Sequence, residues 1–93
     1  MPKNAIVVLH YNKIRLTTDC VRSILAAGYP PGQIFCFDNG SKPEIFAELK
    51  QTFPQCSHHR CEQNYGYSGG FNRALDWVFN LGTSSVLFCT NDT

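Results

Sequence analysis

At 93 residues the chain lies near the lower end of the ~100–200 residues usual for one domain, so a single domain over residues 1–93 with a modest core is expected. Apolar residues make up 43% and charged residues 16%, a globular rather than disordered balance. A formal net charge of +1 gives no electrostatic drive toward nucleic acid or an anionic membrane, and no nucleic-acid partner is expected.

The first element is the run "AIVVL", Ala5 to Leu9, far shorter than a signal-peptide core with its cleavage site or the ~20 residues of a membrane span. Together with five cysteines, an odd number that indicates no disulfide framework, this points to a cytoplasmic chain. The run is continuously apolar, as are "IFCF" (Ile34 to Phe37) and "SVLFC" (Ser85 to Cys89). Strands buried on both faces of a parallel sheet read this way.

Helical patterns separate them. Leu16, Cys20, Val21, Ile24 and Leu25 share one face of a first helix that stops at Gly28 and Pro30-Pro31. Ser41 and Glu44 have capping-box spacing ahead of a second helix, whose stripe is Ile45, Phe46, Leu49 and Phe53 and which Pro54 ends. A weak extended segment, Ser57 to Glu62, precedes a third helix carrying Phe71, Ala74, Leu75 and Val78 up to Gly82. Trp77 leaves the main apolar face of that helix, free to cover the sheet or anchor a further part of the protein.

The order β-α-β-α-β-α-β with right-handed crossovers predicts a three-layer α/β/α fold with a mainly parallel sheet in order 3-2-1-4. Strand order then reverses between the first and last strands, and ligands bind beyond the carboxyl ends of strands at such a point. There the sequence places "HYNK" (His10 to Lys13), "DNGS" (Asp38 to Ser41), "QNYGYSGG" (Gln63 to Gly70) and "TNDT" (Thr90 to Thr93). Each is polar, as a pocket requires, although Asp38 or Ser41 could equally cap the second helix. The first loop lacks glycine, which argues against a dinucleotide fingerprint, and no G-x-x-x-x-G-K-[ST] phosphate loop occurs.

These segments in this order resemble the amino-terminal, nucleotide-binding half of family-2 glycosyltransferases with the GT-A fold. The most specific of them is "QNYGYSGGFNRA", Gln63 to Ala74, which looks most like the rhamnosyltransferase branch. The resemblance implies inverting transfer from a nucleotide-diphospho-sugar, UDP- or dTDP-linked, to a hydroxyl of a saccharide or lipid-linked acceptor, as in polysaccharide biosynthesis. It implies donor contacts from His10, Tyr11, Asn12, Asp38, Asn39, Asn64, Gly66, Gly70, Asn72, Asn91 and Asp92. Gly66, Gly69 and Gly70 would let backbone approach the nucleotide, or would serve only to pack the third helix on the sheet.

In the family, a D-x-D or N-x-D signature holds a divalent cation. Here Asp92 would hold Mg2+ or Mn2+, with Thr90 in place of the first acid. One protein carboxylate can suffice for Mg2+, whose other ligands are phosphate and water. The general base belongs to the family's second half, so the resemblance implies that it lies beyond Thr93. It also implies that these residues alone are inactive and expose a sheet edge open to self-association. The alternative is a non-enzymatic α/β module that binds a nucleotide or a protein.

One other cluster, "CSHHRC" (Cys56 to Cys61), has zinc-type atoms. On an extended segment Cys56 and His58 point one way while His59 and Cys61 point the other, so packing is the expected role.

Overall fold

The computed structural model describes residues 4–90. Its elements are β1 (Asn4–His10), α1 (Ile14–Ala26), a 3-10 turn (Pro31–Gln33), β2 (Ile34–Asp38), α2 (Pro43–Thr52), β3 (Ser57–Arg60), α3 (Gly66–Asn80) and β4 (Ser85–Thr90). The four strands form one parallel sheet in the order β3-β2-β1-β4. This is the α/β architecture and the 3-2-1-4 order expected from the sequence.

The continuous apolar runs are explained by burial on both faces. Val8, Ile34 and Cys36 face α1 and α2, where they meet Val21, Leu49, Phe53 and Cys56. Ala5, Val7, Phe35 and Phe37 face α3 and meet Ala74 and Val78. Gly70, Ala74 and Val78, spaced by four, are the buried residues of α3, so a stripe of small side chains lets the helix lie close to the sheet. Trp77 covers the flank of this layer, edge-on to Phe35 and beside Phe37 and His59.

Three local expectations change. Leu16 is 41% exposed and Thr17 is wholly buried in its place, because α1 turns Thr17 and Val21 toward the sheet and the Thr17 hydroxyl meets His10. The capping box of Ser41 and Glu44 does not form. Lys42 occupies the cap position, Pro43 opens α2, and no side chain caps the helix, since the Ser41 hydroxyl accepts the backbone N–H of Asn12 instead. β3 stops at Arg60 rather than Glu62.

In "CSHHRC" the two histidines face opposite sides. His58 Nε2 bonds the Phe53 carbonyl at 2.8 Å on the α2 side, whereas His59 stacks on Phe37 on the α3 side.

Leu49 is 1% exposed between α2 and the sheet. Leu49→Ala should therefore cost about 2–5 kcal/mol of unfolding free energy, and Leu16→Ala no more than about 0.5 kcal/mol. Urea denaturation of the two variants against the parent chain checks the contrast.

Candidate functional site

The site is built where β1, β2 and β3 end side by side. Backbone register sets His10 opposite Asp38 and Asp38 opposite Arg60, so three polar side chains arrive at one level of the sheet. Just beyond, the Asn39 N–H bonds the His10 carbonyl at 2.8 Å and the Cys61 N–H bonds the Asp38 carbonyl at 2.9 Å. The loops thus leave the sheet still tied to it.

The turn after β2 is organised by Asp38. Its Oδ1 accepts the Ser41 N–H at 2.7 Å, an aspartate closing a turn on its own backbone. The Ser41 hydroxyl accepts the Asn12 N–H at 2.7 Å, and Asn12 Oδ1 accepts the Lys42 N–H at 3.1 Å. These bonds stitch the β1 and β2 loops together. Asn12 takes φ 56°, a left-handed conformation that asparagine tolerates better than most residues. Arg60 fixes the same turn from β3, its Nε donating to the Ser41 carbonyl at 3.0 Å.

Asn39 joins the β2 loop to the start of α3. Its Nδ2 donates to Asn64 Oδ1 at 3.2 Å and to the Gly66 carbonyl at 3.0 Å, and its Oδ1 accepts the Tyr65 N–H at 3.1 Å. Two glycines make room for this. A Cβ on Gly70 would lie 2.5 Å from Asn39 Nδ2, and one on Gly40, at φ +95°, would lie 2.5 Å from the Asn64 backbone nitrogen. Close packing of α3 against the β2 loop is therefore the demonstrated role of Gly70.

The expected site residues divide by depth. His10, Asp38, Asn39 and Gly70 are buried in the floor, whereas Tyr11, Asn64, Gly66 and Asn72 are exposed and Asn12 is half-buried. Asn91 and Asp92 lie outside the described residues. Asn72 lines a shallow cavity of about 290 Å³ with Tyr67, Ser68 and Phe71. Among the described residues no group of three or more histidine, cysteine or acidic side chains is placed to hold a metal ion.

Sequence reasoning passed over Thr17 and Arg60 and assigned no role to Arg73, which lies over the Tyr65 ring with its guanidinium carbon 3.5 Å from the centroid. Arg73 was visible in "GGFNRA". Thr17 became legible only once the strand end and helix face were known.

Burial dominates the electrostatics. It pushes the His10 pKa below its ordinary value, with the Asp38 carboxylate pulling the other way and His58 adding to the lowering. Burial also lowers the His58 pKa, opposed by the bond to the Phe53 carbonyl. Both rings thus favour the neutral form in the fold.

A family model described as "Glycosyl transferase family 2" matches residues 5–92. No curated protein and no solved structure matches the chain.

Asn39→Ala removes three hydrogen bonds at part-buried positions, so a loss of about 1–3 kcal/mol in unfolding free energy is expected by denaturant titration. Because both histidine pKa values are lowered on folding, stability is full above the ordinary value of 6.5 and declines as pH falls below it. Thermal melting from pH 8 to pH 5 should show that decline, and His58→Gln should reduce it.

Proposed function

The chain belongs to glycosyl transferase family 2, and from that membership we propose that its carboxyl-edge loops hold the nucleotide of a UDP- or dTDP-sugar. The donor would serve inverting transfer to a hydroxyl of a saccharide or lipid-linked acceptor. One observation supports the location: within the family match, the loops after β1, β2 and β3 meet around Asp38, whose Oδ2 is buried without a hydrogen-bond partner among the described residues. An unpaired buried carboxylate oxygen is costly, and an N–H or O–H from the base or ribose of a donor would satisfy it.

Each residue then has a distinct part. Tyr11, 45% exposed, offers a flat face for base stacking. Asp38 accepts, while Asn39 keeps its own bonds and fixes the shape of the floor. Asn12, Asn64 and Asn72 present polar groups around the opening, and Gly66, at φ +75° with open space before it, lets the first turn of α3 come near the diphosphate. Lys13 stands in the first of these loops as a counter-charge.

The proposed cation, Mg2+ or Mn2+, would be held by Asp92 beside Asn91. It would supply positive charge to the departing diphosphate. A cytoplasmic setting accords with five cysteines that are all free, and no helix among the described residues is long and apolar enough to cross a membrane.

Calorimetric titration with UDP and with dTDP, each with and without Mn2+, tests the reading. Binding of one nucleotide, enhanced by Mn2+, is expected. Asp38→Ala should weaken it by about tenfold or more through loss of a charge-assisted hydrogen bond, and Asp92→Ala should abolish the Mn2+ enhancement. Binding unchanged in both variants would instead favour a module whose aspartates are merely structural.

A further inference from the structure

Two buried polar atoms at the floor of the site face each other without touching. His10 Nε2 and Asp38 Oδ2 stand 3.8 Å apart, too far for a hydrogen bond, and neither has another partner among the described residues. Their residues are 0% and 1% exposed. Each atom is a nearby remedy for the other, and the in-register pairing of His10 with Asp38 keeps them adjacent whatever the loops above do.

The Thr17 hydroxyl on the opposite side of the ring can donate or accept, so the facing carboxylate decides which nitrogen carries the proton. His10 Nδ1 lies 2.6 Å from the Thr17 hydroxyl, which is itself buried in α1. If Thr17 donates to Nδ1, the neutral ring carries its hydrogen on Nε2, aimed at the carboxylate. The other tautomer would turn the Nε2 lone pair against the lone pairs of Oδ2, a repulsive arrangement in a buried site.

We propose that His10 is a positioning residue of the donor site: with its Nε2–H turned to the carboxylate and its Nδ1 met by the Thr17 hydroxyl, it braces Asp38 Oδ2 from behind and does not itself touch the nucleotide. The role rests on the nucleotide-binding reading only for its consequence, since the Thr17, His10 and Asp38 line is a property of the fold. A carboxylate oxygen has more than one lone pair, so Oδ2 can face the positive end of the His10 N–H on one side and accept a hydrogen bond from a ligand in front. This assignment replaces the base-pocket contact expected for His10, whose ring has no exposed edge to offer.

The groups that bear on the ring are few. Asp38 faces it from β2, His58 acts on it from β3, and α1 presents the uncharged Thr17. Arg60 and Cys61 lie near Asp38 rather than the ring. Burial lowers the His10 pKa and Asp38 opposes that lowering, so the neutral ring is the working form at neutral pH.

Nitrogen-15 NMR of the histidine rings tests the assignment without any ligand. The expected result is a neutral His10 with its proton on Nε2, titrating below the ordinary 6.5, and a further fall of its pKa in Asp38→Asn. A proton on Nδ1 in the parent chain, or a titration that Asp38→Asn leaves in place, would overturn the proposal.

Titration with UDP and dTDP then reads the consequence. His10→Gln, whose amide can still donate toward Asp38, should bind near the parent affinity, and His10→Leu should bind about tenfold more weakly. Equal affinity of His10→Leu and the parent would overturn the positioning role. Failure of the parent chain to bind either nucleotide would count against the nucleotide reading, while the NMR result would still decide whether His10 braces Asp38.

Discussion

The parallel register of β1 and β2 is the constraint on which the candidate site depends. Because Val8 pairs with Cys36 and His10 with Asp38, the last residues of two strands stop at one level and their side chains stand next to each other. The Asx-type turn on Asp38, its junction with the β1 loop through Ser41 and Asn12, and the facing of His10 and Asp38 all follow from that alignment. A slip of one residue would turn each strand's side chains to the opposite face. The two-sided core, with Ile34 and Cys36 on one face and Phe35 and Phe37 on the other, is what resists such a slip.

Around this register the polar groups of the floor are used mostly for construction. Asn39 spends its amide on Asn64, Tyr65 and Gly66, and Ser41 spends its hydroxyl, N–H and carbonyl on three different partners. Against that background the unpaired Asp38 Oδ2 is informative. A network that satisfies most neighbouring atoms yet leaves Asp38 Oδ2 and the facing His10 Nε2 without hydrogen bonds has a place for a donor to arrive, and glycosyl transferase family 2 supplies the class of molecule that brings one.

Strand order and layer composition were legible in the sequence because they rest on continuous apolar runs and on helical stripes of four-residue spacing. The weak β3 was legible through its position more than its composition, and its end was misplaced because Cys61, still bonded to the Asp38 carbonyl, is the last tie to β2 before the chain bends away. The side-chain roles at the strand ends were harder to read. Ser41 has the spacing of a cap yet faces the β1 loop, and no local pattern shows that Asn12 will claim its hydroxyl. Leu16 is the more apolar choice for the buried face of α1, but Thr17 sits beneath it because a buried histidine needs a partner. Gly70 makes room for the Asn39 side chain, a partner thirty-one positions away that no local pattern announces. In each case the deciding partner is distant in the chain.

The central place of β1 also shapes how the chain reaches this structure. β1 is flanked by β2 on one side and by β4 on the other, and Asn4 pairs with Ser85. During synthesis β1 emerges first and can pair with β2 after one crossover, but its other edge waits for a strand about eighty residues later. Closing so long a span is slow compared with local pairing. Through that interval β1 presents an unpaired edge flanked by Ile6, Val7 and Val8, so the arrival of β4 both completes the core and moves the open edge of the sheet from β1 to β4.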